Sequence, residues 1–488
     1  MTESKPATRK VIAIRADTGA AQGAAREEPA NETVWLYEAH QKIHPRSVSG
    51  RFTNWRWALV VLTQLVFYGL PWLQWGQRQA VLFDLGARRF YIFNLVLYPQ
   101  DFIYLTGILV ISALSLFLFT AVAGRLWCGY ACPQTVYTEI FLWIEKKIEG
   151  DRSARLRRDA APLSVDKALR KGAKHAAWLT VAAWTGFTFV SYFTPLRELG
   201  GELLQWHMSS WEVFWAIFYA VATYGNAGFL REQVCKHMCP YARFQSAMFD
   251  NDTLIVTYDE KRGEPRGARS RSADPAALNL GACIDCTLCV QVCPTGIDIR
   301  KGLQYECIGC GACADVCDTV MDRMGYARGL VKYSTQSAVK HGWTAAQTLR
   351  RVLRPRVLVY AAILGAVMLA MAISLALRTP FKVDVVRDRG TLARIVAGGK
   401  LENVFRLQIM NATEADQRYR ISVEGMPGLS VDSEDTVAVE STQSRWFAVR
   451  VRLPFEGAGA GSHPIRFNIE AITSSARVSE KSVFIVPR

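Results

Sequence analysis

Long apolar stretches alternate with polar, positively charged loops over the first three quarters of the chain. Five stretches come close to the about 20 residues that a helix needs to cross a bilayer. They are residues 57–75, 105–123, 176–193, 211–229 and 357–377. The pattern predicts a multi-domain membrane protein with a five-helix transmembrane bundle. A sixth apolar run, 90–98, is roughly half of the spanning length, so we expect it to be interfacial or re-entrant.

The end of the chain follows a different pattern, because apolar and polar residues alternate there at the strand period of two. The alternating apolar positions are Phe405, Leu407, Ile409, Phe447, Val449, Val451, Leu453, Ile465, Phe467 and Ile469. Glycine and proline turns separate these runs. The pattern predicts an Ig-like β-sandwich over residues 379–488, without the cysteine pair of an antibody domain, and we expect it to act in docking or scaffolding.

The net charge of +15, from 58 Lys and Arg against 43 Asp and Glu, is explained by its position along the chain. Loops 124–175 and 231–356 hold 11 and 18 basic residues, whereas loops 76–101 and 196–210 hold three and one. Basic loops stay on the cytoplasmic side of a membrane. We therefore expect the N-terminus to be cytoplasmic and the sandwich to be periplasmic, and the charge requires no nucleic acid.

These patterns divide the chain into five predicted regions. In order, they are a flexible cytoplasmic N-terminus without a signal peptide (1–50), a four-helix membrane region (51–230), a cytoplasmic loop (231–356), a fifth transmembrane helix (357–378) and the periplasmic sandwich (379–488). The multi-pass topology implies a lipid-embedded protein.

All 12 cysteines fall between residues 128 and 317, and eight of them form a doubled motif in the cytoplasmic loop. Each copy has the spacing C-x2-C-x2-C-x3-C, which is typical of bacterial two-cluster ferredoxins, where the fourth cysteine serves the other cluster. The spacing predicts two [4Fe-4S] clusters. Cluster one takes Cys283, Cys286, Cys289 and Cys317; cluster two takes Cys307, Cys310, Cys313 and Cys293. Structural zinc is the alternative, but zinc sites do not use eight thiolates in this order.

The other four cysteines form two C-x3-C-P motifs, Cys128-x3-Cys132-Pro133 and Cys235-x3-Cys239-Pro240. Each follows a predicted membrane helix, so both motifs are expected at the cytoplasmic surface. On a helix, thiols at i and i+4 share a face, and soft thiolates select Cu(I), zinc or iron–sulfur. Buried structural cysteines and a redox disulfide are alternatives.

Residues around these two motifs bear on their chemistry. The cations Arg125, Arg231 and Lys236 are expected to favour the thiolate form. His237 and Met238, inside the second motif, could add ligands, although a single histidine near a membrane surface is more often only solvated.

The order of these motifs resembles a known family, the cytochrome c oxidase accessory proteins called CcoG, FixG or RdxA. The segment 124–133, the segment 283–289 and the pair Cys317-Asp318 carry the resemblance, which extends from about residue 35 to the end. The resemblance implies a bacterial inner-membrane iron–sulfur protein that assists assembly of cbb-type oxidase. It also implies reduction of Cu(II) to Cu(I), a cupric reductase activity, with copper held by the C-x3-C-P cysteines.

Several features of such a protein stay open. Its partners would be the oxidase assembly machinery, a copper transporter or chaperone, and an electron donor that the sequence does not identify. One alternative is an electron wire that resembles quinol dehydrogenases and involves no copper. Another is a structural assembly scaffold whose clusters only stabilise the loop.

Overall fold

Fifteen α-helices occur in the part of the chain that the computed structural model describes, which is residues 42–388, 390, 393–455, 459–474 and 476–487. Most of the predicted flexible N-terminal segment lies outside these residues. The helices are α1 (Arg51–Gly69), α2 (Phe102–Ala123), α3 (Leu126–Tyr130), α4 (Pro133–Glu149), α5 (Arg152–Ala160), α6 (Val165–Val190), α7 (Leu196–Gln205), α8 (Ser210–Gly225), α9 (Pro240–Met248), α10 (Glu260–Gly263), α11 (Leu288–Gln291), α12 (Ala312–Met324), α13 (Gln336–His341), α14 (Ala345–Arg350) and α15 (Pro355–Ala376).

Three of these helices are long and apolar enough to cross a membrane. They are the helical segments Pro99–Ala123, Ser210–Leu230 and Pro355–Ala376, which contain α2, α8 and α15. The other two predicted spans lie largely on α1 and α6. Both are helical but more polar than the other three, since α1 carries Arg56 and Gln64 and α6 carries Lys174.

The apolar helices run between two ends of the molecule. At one end, Arg354 precedes α15 and donates to the Ala121 carbonyl of α2 at 2.6 Å. At the other end, Arg378 follows α15 and pairs with Asp101 at 2.7 Å, just before α2. These contacts make α2 and α15 antiparallel. The C-x3-C-P motif that follows α2 therefore lies at the opposite end from Asp101.

The doubled cysteine motif lies within an insert that two short strands close. Strand Ile255–Tyr258 precedes the cysteines and pairs with Val331–Ser334 after them, in antiparallel register. Asp315 of α12 joins this insert to α1. Its carboxylate accepts from the backbone amides of Phe52 and Thr53 at 3.1 and 2.7 Å, and so caps a helix start that would otherwise lack partners.

The predicted Ig-like sandwich is confirmed. The strand order of the first sheet is Ser430–Val431, Ser444–Pro454, Lys400–Asn411 and Phe381–Arg387, and Arg394–Val396 also pairs with Lys400–Asn411. The strand order of the second sheet is Thr436–Val439, Gln417–Glu424, Gly461–Ala471 and Arg477–Val486. All pairs are antiparallel. Phe447 is half-buried and packs at the margin of the core, whereas the other alternating residues of the prediction are fully buried between the sheets.

The apolar run 90–98 is extended, and its interfacial or re-entrant placement stays a prediction. It supplies strands Arg89–Ile92 and Leu95–Leu97 of a three-stranded antiparallel sheet completed by Val81–Asp84. The Tyr98 hydroxyl donates to the Asn411 carbonyl of the sandwich at 2.9 Å. The sequence left its secondary structure open because a short apolar stretch does not distinguish a strand from other buried segments. The two remaining short strands are Gln74–Trp75 and Arg78–Gln79.

Candidate functional site

Four cysteines line one cavity in the insert, here called the cluster-one cavity. They are Cys283, Cys286, Cys289 and Cys317. The loop can turn three thiols toward one space because Asp285 and Thr287 adopt left-handed backbone, with φ of 50° and 57°. Cys317 comes from α12, one turn after Cys313. The structure thus gathers the four thiols that the spacing assigns to cluster one.

A second cavity, the cluster-two cavity, is lined by the complementary set of thiols. These are Cys293, Cys307, Cys310 and Cys313. Cys289 belongs to the walls of both cavities, so the two lie side by side. Within the described ranges, no three His, Cys, Asp or Glu side chains are placed to hold a single metal ion.

The thiols of the two cavities differ in their access to water. Cys286 is exposed, and it is the only exposed cysteine of the 12. By contrast, burial raises the pKa of Cys289 to about 11 and of Cys307 and Cys317 to about 12. Burial also raises the pKa of Cys310 and Cys313. These buried thiols are therefore neutral near pH 7 until a metal displaces their protons.

The two C-x3-C-P motifs adopt closely similar local structures. Cys128 lies in α3 and Cys132 precedes Pro133, the first residue of α4. Cys235 lies in a π-helical turn, Val234–Met238, and Cys239 precedes Pro240, the first residue of α9. Each pair thus spans a break between two helical segments, and not one helix face as expected. The proline starts a new helix because its fixed φ suits that position and it has no amide hydrogen to satisfy.

The structure brings these four thiols, here called the thiol quartet, close enough to interact electrostatically. After burial, a negative charge on Cys132 or Cys235 further raises the pKa of Cys128, and a charge on Cys132 or Cys239 further raises that of Cys235. A charge on Cys239 likewise raises the pKa of Cys132. Burial raises the pKa of Cys128 to about 12 and of Cys235 to about 11. Arg125 favours the thiolate form of both residues, as expected, but burial is the larger effect and the net pKa shift is upward.

The other residues singled out around the motifs lie apart from the quartet or at the surface. Arg231 turns away to Glu145, with Nη2 and Oε1 2.7 Å apart. His237 and Met238 are exposed, and neither lines a cluster cavity. The sequence did not indicate Gln245, a fully buried side chain whose Oε1 lies 3.3 Å from the Cys128 sulfur.

The first C-x3-C-P motif lies directly against residues 307–311, here called the cluster-two loop. A Cβ placed on Gly129 would come within 2.9 Å of the backbone nitrogen of Cys310 and 2.8 Å of the Ile308 carbonyl oxygen. Only glycine permits this approach. Cys128 and Cys235 also pack against the apolar cluster that contains Ile308 and Cys310. The thiol quartet and the cluster-two cavity are therefore neighbours.

A buried ionic network holds the segment that leads to the second motif. Glu145 is almost fully buried and pairs with both Arg231 and Arg155 at 2.7 Å. Burial alone would raise the pKa of Glu145, but Arg231 and the other cations lower it below its ordinary value. The carboxylate thus fixes Arg231, four residues before Cys235, in place.

Replacing Glu145 by glutamine should therefore destabilise the protein by about 3–5 kcal/mol, because it leaves buried guanidinium groups without a counter-charge. The control is Asp166→Asn, which breaks the exposed pair with Arg170 and should cost less than about 0.5 kcal/mol. Thermal unfolding in detergent measures both. The Glu145 carboxylate contributes its full stabilisation above the pKa that this group has in the unfolded chain. That stabilisation is lost as the pH falls through its lower pKa in the folded protein. Equal midpoints for E145Q and D166N would contradict the expectation.

Three protein-family models match the chain. A 4Fe-4S dicluster domain matches residues 230–336, a 4Fe-4S binding domain matches 105–150, and an IG-like fold found at the C-terminal of FixG matches 371–487. The first match covers both cluster cavities and the second C-x3-C-P motif. The second match covers the first motif. Iron–sulfur binding is thus assigned to both cysteine-bearing parts of the chain.

Curated relatives are similar over most of their length. The chain is 38% identical to the nitrogen fixation protein FixG of Rhizobium meliloti, over 81% of this chain and 82% of that protein. It is 36% identical to protein RdxB of Cereibacter sphaeroides, over 93% and 98%, and 37% identical to protein RdxA of the same organism, over 83% and 87%. With its ferredoxin-type cavities and its C-terminal sandwich, the chain belongs to the FixG and RdxA family of iron–sulfur redox proteins.

Proposed function

We propose that this protein carries electrons through two [4Fe-4S] clusters to the thiol quartet, where they reduce Cu(II) to Cu(I) for assembly of a cbb-type cytochrome c oxidase. The observation that carries the proposal is the contact between the first C-x3-C-P motif and the cluster-two loop. This contact supports the proposal because the soft sulfur ligands of the quartet would then lie beside cluster two, at the same end of the apolar helices.

The residues of the two cavities suit the clusters. Each cavity has four thiols as its donor set, and its other lining residues are mainly apolar. The crossed sets, with Cys317 in the cluster-one cavity and Cys293 in the cluster-two cavity, follow the ligation of two-cluster ferredoxins. When bound, the clusters would supply one-electron carriers of low potential.

Differences in burial suggest a direction for the electrons. Cys286 exposes the cluster-one cavity to solvent, so a soluble or membrane donor has access there. Cys310 is buried, and its backbone lies against the first C-x3-C-P motif. Electrons would therefore enter at the Cys286 side and leave at the Cys310 side. Cys289, which lies on the walls of both cavities, joins the two sides.

Copper is the substrate in this proposal. Thiolate sulfur is a soft ligand and favours Cu(I) over Cu(II), so binding at the quartet would raise the copper potential and make the transfer downhill. The reaction is balanced by one electron per copper ion: Cu(II) is reduced and the donor is oxidised. The product, Cu(I), is the form that a copper transporter or chaperone and the oxidase assembly machinery would receive.

The proposed setting is the bacterial inner membrane. All cysteine sites lie at one end of the antiparallel helices α2 and α15, and the sandwich lies at the other. With the excess of basic residues in loops 124–175 and 231–356, the cysteine end would be cytoplasmic and the sandwich periplasmic.

The test replaces both Cys128 and Cys235 by serine. The double variant should lose copper binding and copper reduction but keep its iron, whereas Cys283→Ser should keep copper binding and lose reduction. Anaerobic Cu(I) formation by pre-reduced protein, read with a Cu(I)-specific chelator added afterwards, measures the rate. Iron, sulfide, copper and zinc are counted per chain.

Three outcomes would overturn the proposal. Reduction at the parent rate by the double variant would place the copper site elsewhere. Quinol oxidation without copper binding would favour the electron wire. Full oxidase assembly by the Cys283 variant would favour the scaffold.

A further inference from the structure

Arg125 lies where three elements of the redox region meet. It precedes Cys128 by three residues, and its backbone approaches Gly309 of the cluster-two loop, since a Cβ on Gly309 would lie 3.3 Å from the Arg125 carbonyl. Its side chain crosses to the second motif and donates from Nη2 to the carbonyl of Ala242 in α9. One residue thus touches the first motif, the second motif and the cluster-two loop.

The charge of Arg125 is buried without a carboxylate. The residue is 5% exposed, and its Nε is buried without a hydrogen-bond partner. Among the residues that the structure describes, no Asp or Glu lies within ion-pair distance of it. A buried guanidinium is costly unless an anion compensates it. Within the described ranges, no salt bridge to a carboxylate provides this compensation for Arg125.

Thiols of both proposed metal sites lie near this cation. Arg125 interacts electrostatically with Cys128 and Cys235 of the quartet and with Cys307 of the cluster-two cavity. Thiols that bind a metal must lose their protons, so each of these groups becomes anionic when its site is filled. The missing counter-charge would therefore appear with the metals.

Arg56 makes a useful comparison. It is also buried and lies near Cys310, but Glu139 neutralises it, with Nη2 and Oε2 2.5 Å apart. The region therefore contains one ion pair, Arg56 with Glu139, and one cation, Arg125, that has no described carboxylate at ion-pair distance. Glu232 is also buried in this region, and its charge opposes the effect of Arg125 on Cys235.

We propose that Arg125 is a positioning residue that acts as the shared counter-cation of the thiol quartet and of cluster two. It stabilises the thiolates of both sites and raises the reduction potential of cluster two, because each added electron increases the negative charge beside it. Removing the cation should therefore lower the reduction potential of cluster two and change that of cluster one much less. This inference rests on the proposed cluster sites, but it does not require copper.

The test compares three variants by redox titration of both clusters, followed by electron paramagnetic resonance under anaerobic conditions. Arg125→Gln keeps a donor for the Ala242 carbonyl. It should lower the equilibrium constant for reduction of cluster two at least tenfold, which corresponds to a reduction potential about 59 mV lower for one electron. Arg125→Lys keeps the charge and should stay close to the parent. The double variant R56Q/E139Q removes a neutral pair and should also stay close to the parent.

The outcomes separate charge from packing. R125Q could lose cluster two while R125K retains it. The iron content of the two variants would then show that the site needs the positive charge, without a redox titration. The inference is overturned if the cluster-two potential of R125Q equals that of the parent, or if R125K changes it as much as R125Q does. Loss of cluster two from both variants would also overturn it, since the residue would then serve packing. Because no copper is added, a failure of copper reduction does not affect the result.

Discussion

Cys293→Ala is expected to remove cluster two and leave cluster one, although Cys293 belongs to the first cysteine motif in the sequence. The side chain lies on the wall of the cluster-two cavity with Cys307, Cys310 and Cys313. Iron should fall from about eight to about four per chain, because one of two four-iron clusters is lost. Electron paramagnetic resonance of the reduced variant should show only the cluster-one signal.

The reciprocal variant is the matched comparison. Cys317→Ala should remove cluster one and leave cluster two, because Cys317 lines the other cavity. Cys239→Ala, in the thiol quartet, controls for the loss of a thiol and should keep both clusters. Loss of the same signal from C293A as from a Cys283 variant would show that ligation follows sequence order and is not crossed.

Reporter fusions at the two ends of the apolar helices should give opposite results. A reporter that is active only in the periplasm should be active after Arg488 and silent when inserted after Ala276. Ala276 is an exposed turn residue and tolerates an insertion better than Gly263, which is buried against the Tyr258 side chain. The expected contrast is all-or-none, because a folded domain either crosses the membrane or does not.

A reporter that is active only in the cytoplasm, placed at the same two positions, should give the inverse pattern. Activity of the periplasmic reporter at Ala276 and silence after Arg488 would reverse the orientation. It would also place the thiol quartet on the periplasmic side. That result would remove the proposed delivery of copper from the cytoplasmic surface.

Much of the architecture could be predicted from local patterns. The alternation in residues 405–409 and 449–453 indicated sandwich strands, because burial between two sheets selects every second residue. The cysteine spacing indicated which thiols share a cavity, because the geometry of a ferredoxin loop depends on few residues. The two more polar predicted spans were harder to interpret, because Arg56 and Lys174 are satisfied by tertiary partners that no local pattern reveals.

Contacts between segments that are distant in the sequence could not be predicted from local patterns. The contact of Gly129 with Cys310 joins residues that lie 181 positions apart, and the pair of Glu145 and Arg231 joins residues 86 positions apart. Nothing in a single sequence marks such pairs. A glycine between two cysteines was the available signal for the first contact, and an acidic residue in an amphipathic helix was the signal for the second.

The cap that Asp315 places on α1 has a consequence for biogenesis. The carboxylate holds Phe52 and Thr53 over α12, and Phe52 lies so close to Gly311 that a Cβ there would come within 2.9 Å of it. Cys310, the neighbour of Gly311 in the sequence, is buried. A carrier that delivers iron and sulfide cannot reach a covered thiol. We therefore expect cluster two to be installed before the start of α1 docks on the insert.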